Sequence, residues 1–215
     1  MDWYWEHDIQ PDQVNRTAVD GMRLARLSEY GGRYAAVYHA GTPTTHRLDL
    51  DATEIPPYPV AITVAAGPLF AVVLDPNAPS RAYVDVDENT LRDFTTGVAD
   101  VATYTVGGAR RYAIVIDDRI GERRILTGVT EGQLGRERGD VVRLRAYTEY
   151  GRRLYTAVLG PRTKAFAKWY ADLTGDQVSG RLERSDAFPY DLDATRDERG
   201  VRFTVVMRRW NDPAR

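Results

Sequence analysis

The sequence contains no cysteine, which excludes disulfides, thiolate catalysis, cysteine-ligated zinc and iron–sulfur clusters. Histidine is scarce, and His7, His39 and His46 lack the spacing of a metal site, so we expect no metal and no cofactor. No apolar run approaches the roughly 18 residues of a membrane span, and the first residues lack the basic and apolar regions of a signal peptide. A cysteine-free chain suits a reducing cytosol, and we predict a cytoplasmic protein.

The chain also lacks an excess of either charge. Its formal net charge is -2, and acidic and basic residues are interspersed without a basic stripe. We therefore expect no nucleic-acid partner and no membrane partner. Glycine-rich phosphate loops and the strand-turn-helix nucleophile motif are missing, so nothing indicates nucleotide binding or triad hydrolysis.

What the chain does have is an internal repeat. Five short runs begin with an aromatic residue, continue with small or β-branched residues and end in valine, as expected of buried strands. They predict one domain over residues 1–215, built from five degenerate repeats at about 1–41, 42–80, 81–120, 121–164 and 165–215. The runs are Tyr34–Val37, Phe70–Val73, Tyr112–Val115, Tyr155–Val158 and Phe203–Val206.

Another strand is predicted upstream of each of these runs. Polar and apolar residues alternate in it, which is typical of a half-buried strand that forms a hairpin with the next one. The predicted alternating strands are Arg26–Tyr30, Asp49–Thr53, Asp100–Tyr104, Arg143–Tyr147 and Asp191–Thr195. The second and the fifth have the same five-residue sequence, Asp-Leu-Asp-Ala-Thr.

Helix-start signals recur in four of the repeats, upstream of the two predicted strands. Thr130 with Gln133, and Thr174 with Gln177, have the spacing of capping boxes, and Pro11 suits the first position of a helix. Together with Val86–Leu91 these signals predict a helix in repeats one, three, four and five. Repeat two shows no such signal and is predicted to lack its helix.

The helix-strand-strand pattern predicts an α+β fold in which the hairpins form an antiparallel β-barrel or half-barrel with the helices outside. The Trp169–Gln177 segment and the strands at Arg143–Tyr147 and Tyr155–Val158 resemble the bacterial tandem repeat domain of polyglycine-hydrolase-type serine peptidases. That resemblance implies a double-layered α/β barrel. It implies no hydrolase activity, because the Ser-x-x-Lys motif of the peptidase domain is missing. The alternative fold is a five-bladed β-propeller, which needs four strands in each repeat.

The polar face of the alternating strands would line the lumen of the barrel or the concave surface of the half-barrel. We predict a ligand-binding repeat domain that holds a small molecule or a peptide there, with repeat two as a gate. One alternative is a cofactor-independent enzyme, a cyclase or hydrolase that uses the same side chains, with its catalytic residues unknown. Another is a structural scaffold, and a homo-oligomer remains an option. The predicted ligand-binding residues are Arg26, Tyr30, Asp49, Asp51, Asp100, Tyr104, Arg143, Arg145, Tyr147, Asp191 and Asp193.

Overall fold

A computed structural model describes residues 2–14, 19–65 and 68–210 of the chain. Most of these residues lie in strands, and the few helices are short. The strands are β1 (Trp3–Ile9), β2 (Met22–Glu29), β3 (Tyr34–Ala40), β4 (Thr45–Leu50), β5 (Pro59–Val64), β6 (Phe70–Leu74), β7 (Ser80–Val86), β8 (Val98–Val106), β9 (Ala109–Asp117), β10 (Arg124–Val129), β11 (Asp140–Glu149), β12 (Arg152–Gly160), β13 (Ala167–Leu173), β14 (Phe188–Asp197) and β15 (Gly200–Arg208). The α-helices are α1 (Glu88–Arg92), α2 (Glu131–Leu134) and α3 (Gly175–Ser185), and Pro11–Gln13 and Ala52–Glu54 form single 3-10 turns.

The strands form five three-stranded antiparallel sheets, one for each repeat unit. In every sheet the third strand of the unit lies in the centre, between the first and the second, as in the order β1-β3-β2. The five aromatic-led runs lie in these central strands, and the prediction that they are buried strands is confirmed. A central strand is hydrogen-bonded on both sides and covered on both faces, which explains its continuous apolar sequence.

The predicted helix starts are correct, whereas the predicted helical layer is not. The Thr130 and Thr174 side chains accept hydrogen bonds from the Gln133 and Gln177 amides at the starts of α2 and α3. Only α3 is longer than five residues, and unit one has a 3-10 turn in place of a helix. The cap signals therefore located the starts, but too few apolar residues follow them to sustain longer amphipathic helices.

The same β-bulge occurs in the second strand of every unit. One residue in each of these strands has no partner in the central strand, and the register shifts by one at that point. These bulge residues are Ala25, Val60, Ala99, Val142 and Tyr190. A bulge disrupts the ladder locally and re-aims the side chains around it, and the residue after each bulge is the first to pair again with the central strand.

The units pack side by side in chain order, and the fifth unit packs against the first. Second strands contact one another in the sequence β2, β5, β8, β11, β14, and β14 in turn contacts β2. Hydrophobic clusters lie between successive units, and the cluster that joins the last unit to the first contains Val37, Leu192 and Phe203. The five second strands thus surround a common centre, which we call the ring.

The predicted α+β barrel is wrong. The hydrogen-bonded ladders stop at the edges of each three-stranded sheet, so the strands do not close into a barrel, and the helices are too short to form an outer layer. The four-stranded sheets of the alternative fold are also missing from the described residues, since each unit has three strands. The prediction gave two strands to each repeat and did not include first strands such as β7.

The prediction that Asp49–Thr53 is the alternating strand of repeat two, directly before its central strand, is also wrong. Asp49 lies near the end of β4, a first strand, and Asp51 precedes the 3-10 turn at Ala52–Glu54. The Glu54 side chain accepts a hydrogen bond from the Asp51 amide at 2.9 Å, an arrangement typical of a helical start. The second strand of this unit is β5. Identical five-residue sequences therefore form different structures in units two and five, because the flanking residues differ.

No helix within residues 2–14, 19–65 and 68–210 has the length and apolar character needed to cross a membrane.

Candidate functional site

Six of the predicted ligand-binding residues meet at the centre of the ring. Four of them directly follow the second-strand bulge of their unit, and the other two lie two positions further along β11 and β14. All are almost completely shielded from solvent, apart from the partly buried Arg26. This central cluster consists of Arg26, Asp100, Arg143, Arg145, Asp191 and Asp193.

The charges of the central cluster pair with one another. Arg145 donates hydrogen bonds to Asp191 at 2.7 and 3.2 Å and to Asp100 at 2.5 Å. Arg26 and Arg143 lie further from Asp191, with Nε–Oδ1 distances of 3.7 and 3.9 Å. The centre is therefore filled by buried charged side chains, with Arg145 paired to both Asp100 and Asp191, and is not an open lumen.

The aspartates of the central cluster also join neighbouring units. Asp191 accepts a hydrogen bond from the Leu144 amide at 2.9 Å, Asp193 one from the Ala146 amide at 2.8 Å, and Asp100 one from the Ile62 amide at 3.0 Å. In each case the acceptor belongs to one unit and the amide to the second strand of the unit before it. Backbone amides at the outer edges of these strands therefore donate to side chains of the next unit, whereas in a barrel they would donate to a neighbouring strand.

Burial and charge move the pKa values in the cluster in different directions. Burial raises the pKa of Asp191, but Arg145, Arg143 and Arg26 outweigh it and hold that pKa below its ordinary value. Burial raises the pKa of Asp193 to about 6, against the opposing effect of Arg145. Burial and the neighbouring charge of Arg143 lower the pKa of Arg26 to about 10, although Asp100 and Asp191 act in the opposite direction. The nearby carboxylates therefore do not fully compensate the buried charge of Arg26.

The tyrosines among the predicted residues lie elsewhere. The hydroxyls of Tyr30, Tyr104 and Tyr147 accept hydrogen bonds from the amides at Asp8, Asp85 and Gly128, at 2.6, 2.9 and 3.0 Å. Each of these amides belongs to a residue with positive φ near the end of a first strand. The three tyrosines therefore tie the first strand of a unit to its second strand.

The remaining predicted residues, Asp49 and Asp51, are exposed on unit two. Asp49 has a φ of 55°, the same left-handed conformation as Asp8, Asp85 and Asp172 at the equivalent bulges of other units. An aspartate suits this position because it tolerates positive φ better than most residues do. The structure does not bring Asp49 and Asp51 to the central cluster.

Two adjacent cavities that share three lining residues lie at the end of the ring where the second strands begin, and we refer to them as an outer and an inner lobe. The outer lobe has a volume of about 460 Å³ and the inner lobe about 230 Å³, and Arg23, His39 and Tyr190 line both. We call the two lobes together the arginine basin. Its inner lobe reaches Arg26 and Arg143 of the central cluster.

Positive charge dominates the arginine basin. Among the described lining residues the only carboxylate is Asp117, which is already paired with Arg119 at 2.7 Å. Asp140 lies 4.0 Å from Arg208, behind the lining. Against these stand the arginines of the lining, which are Arg23, Arg26, Arg123, Arg143, Arg208 and Arg209.

Four of these arginines have a buried Nε–H group with no hydrogen-bond acceptor among the described residues. They are Arg26, Arg123, Arg143 and Arg208. The nearest carboxylate oxygen to the Nε of Arg143 is 3.7 Å away, which is too far for a hydrogen bond. Buried donors are normally satisfied, so four unsatisfied Nε–H groups, on two lining residues of each lobe, mark a region where the guanidinium groups outnumber the acceptors that the described residues supply.

Tyr190 is the bulge residue of unit five and the only polar residue among the five bulge positions. Its ring lies between two guanidinium groups, with Cζ of Arg143 at 5.0 Å and Cζ of Arg208 at 5.1 Å from the ring centre. Arg143 holds the pKa of the Tyr190 phenol below its ordinary value despite burial, and Arg26 and Arg208 act in the same direction. A phenol in this position can donate a hydrogen bond to an anion in either lobe.

In comparisons with known proteins, no family model matches the chain, and none of the curated proteins matches its sequence. The resemblance to the bacterial tandem repeat domain stays a prediction based on the residues that suggested it.

The arginine basin was not predicted from the sequence. Its lining comes from strand ends and turns of different units, such as Arg123, Gly160 and Arg208, whose proximity depends on how the units pack. One signal was available: four bulge positions hold alanine or valine, and the fifth holds Tyr190. That signal becomes visible only once the second strands are aligned on their bulges.

Proposed function

We propose that this chain is a binding module for a small anionic molecule, held in the arginine basin. The observation that carries the proposal is the excess of positive charge around the two lobes, where six arginines face one carboxylate among the described lining residues. Four of these arginines, Arg26, Arg123, Arg143 and Arg208, also have a buried Nε–H group without an acceptor among the described residues. Uncompensated charge of one sign in a partly enclosed site is costly, and an anion would supply the opposite charge and accept hydrogen bonds from guanidinium groups.

The central cluster supports the basin, and of its members only Arg26 and Arg143 contact the ligand. Its aspartates are occupied by Arg145 and by backbone amides of adjacent units, so they have little remaining capacity for another partner. Arg26 and Arg143 differ from Arg145, because their hydrogen bonds go to backbone oxygens and not to a carboxylate. The ligand therefore belongs at the end of the ring, beside the two arginines whose charge is least well compensated.

The fold holds the cationic groups in place before a ligand arrives. Arg26 donates to the backbone oxygen of Ala25 at 2.7 Å, and Arg143 to that of Val142 at 2.6 Å. Both oxygens belong to bulge residues, so the bulges help to hold the guanidinium groups. Preorganised donors bind an anion at a smaller entropic cost than mobile surface arginines do.

Calorimetric titration tests the proposal, with inorganic phosphate and citrate as probes at constant ionic strength. We expect saturable binding, weakened about tenfold or more by Arg123→Gln or Arg208→Gln, because each change removes a charge-assisted contact worth roughly 1.5–3 kcal/mol. Arg152→Gln is the matched control: it removes the same charge from an exposed residue at the start of β12, at the opposite end of that strand from the basin.

Two outcomes would refute the proposal. One is the absence of saturable binding of either probe. The other is binding that Arg123→Gln and Arg208→Gln leave as strong as it is in the Arg152→Gln control, since the anion would then sit outside the basin. Circular dichroism spectra of the variants establish that any loss of binding is not a loss of folding.

A further inference from the structure

We infer that the ligand of the arginine basin is a planar aromatic anion, whose acidic group lies in the inner lobe and whose ring lies in the outer lobe. This inference rests on the proposed function and concerns the chemical class of the ligand. It follows from the different linings of the two lobes, which separate charge from aromatic surface.

The outer lobe contains a cluster of aromatic side chains. Phe188 and Trp210 are stacked, with ring centres 4.1 Å apart and 13° between their planes. The His39 ring meets both edge-on, at 5.2 and 5.5 Å. All three residues line the outer lobe. A site for inorganic phosphate or another small hydrated anion would gain little from such a lining, whereas a flat aromatic ring would pack against it favourably.

The inner lobe offers charge in a smaller volume. Two of its lining residues are Arg26 and Arg143, with side chains only 14% and 6% exposed. Both carry an orphaned Nε–H group. A carboxylate or a phosphate suits this lobe, because its negative charge would compensate the two guanidinium groups in a site of about 230 Å³ whose described lining holds one carboxylate, Asp117.

Tyr190 joins the two lobes. This residue lines both, and the guanidinium groups of Arg143 and Arg208 lie 5.0 and 5.1 Å from its ring centre. A ligand with its acidic group at Arg143 would therefore extend past the Tyr190 ring toward Phe188 and Trp210. Guanidinium groups bind aromatic faces, so the outer-lobe arginines would contribute to holding the ring as well.

The experiment compares each aromatic anion with its aromatic-free counterpart. The probes are 2-naphthoate against acetate, and 2-naphthyl phosphate against inorganic phosphate, each titrated into the whole chain at constant ionic strength. We expect at least one naphthyl anion to bind ten or more times as tightly as its counterpart. The head group that shows the larger gain identifies whether the acidic group is a carboxylate or a phosphate.

Trp210→Leu should reduce the affinity for the naphthyl anion about tenfold and leave acetate and phosphate unaffected. Trp169→Leu is the matched control, since Trp169 lies on β13 and does not line the basin. In the unsubstituted protein, ring-current shifts on titration with 2-naphthoate should be larger for the Trp210 indole than for the Trp169 indole. This measurement does not depend on how well a variant folds.

Equal affinities within both probe pairs would overturn the inference, and so would naphthyl binding that Trp210→Leu and Trp169→Leu affect alike. The proposed function would survive either result if phosphate or citrate still binds through Arg123 and Arg208. Failure of every anion to bind would instead refute both.

Discussion

Replacing Asp191 by asparagine tests how much stability the central cluster contributes. The Asp191 carboxylate accepts hydrogen bonds from Arg145 at 2.7 and 3.2 Å and from the Leu144 amide at 2.9 Å. Asparagine keeps an oxygen for the Leu144 amide but loses the charge, which leaves three buried arginines facing two aspartates. Breaking one side of a buried ion pair costs about 3–5 kcal/mol. We expect Asp191→Asn to lower the free energy of unfolding by this amount at pH 7.

Asp193→Asn is the matched control in the same strand. The Asp193 carboxylate accepts from the Ala146 amide at 2.8 Å and from Ser28 Oγ at 3.2 Å, and burial raises its pKa to about 6. Because its ionised form is already disfavoured, a neutral amide should cost no more than about 1 kcal/mol. Urea unfolding followed by tryptophan fluorescence measures both variants. Equal losses for Asp191→Asn and Asp193→Asn would refute this account of the cluster.

Three further predictions concern single contacts. Because the folded-state pKa of Asp193 lies above its ordinary value, the folded protein binds this proton at a higher pH than the unfolded chain does. The contribution of Asp193 to the free energy of unfolding should therefore rise as pH falls from 7 to 5. Urea unfolding of Asp193→Asn should lack that pH-dependent component. Tyr104→Phe should cost about 0.5–1 kcal/mol in thermal unfolding, because the Asp85 amide loses its acceptor. Thr174→Ala should cost about 1 kcal/mol through the lost cap of α3, and an unchanged melting temperature would contradict that role.

The repeat could be predicted from the sequence because its central strands carry the strongest pattern. Runs such as Tyr112–Val115 are apolar throughout, and only a strand covered on both faces requires that. The first strands gave a weaker signal, because they are edge strands with one exposed face. In β1 the Trp3–Trp5 segment pairs with β3, although it was not predicted as a strand. Missing these strands led directly to the wrong fold.

The candidate site was predictable only in part, for a similar reason. Alternation in the second strands identified Asp100, Arg143 and Asp191 as members of one polar face, and the structure brings them together. Sequence alone could not show that these charges neutralise one another, because this depends on which units are neighbours across the ring. It also could not show that Arg123 and Arg208 border the same cavity.

Joining separate sheets through side chains has a consequence for where a ligand can bind. Ser28 accepts from the Ala194 amide at 2.9 Å and Thr63 from the Glu29 amide at 3.3 Å, so neutral hydroxyls perform the task that the aspartates perform elsewhere. The ring therefore does not need a charge at every position to satisfy its strand edges. Where charges are used, Arg145 takes most of the hydrogen-bonding capacity of the aspartates, and Arg26 and Arg143 keep unsatisfied Nε groups. Positive charge is left over on the side of the cluster that borders the inner lobe, so the arrangement that holds the units together also provides the anion site.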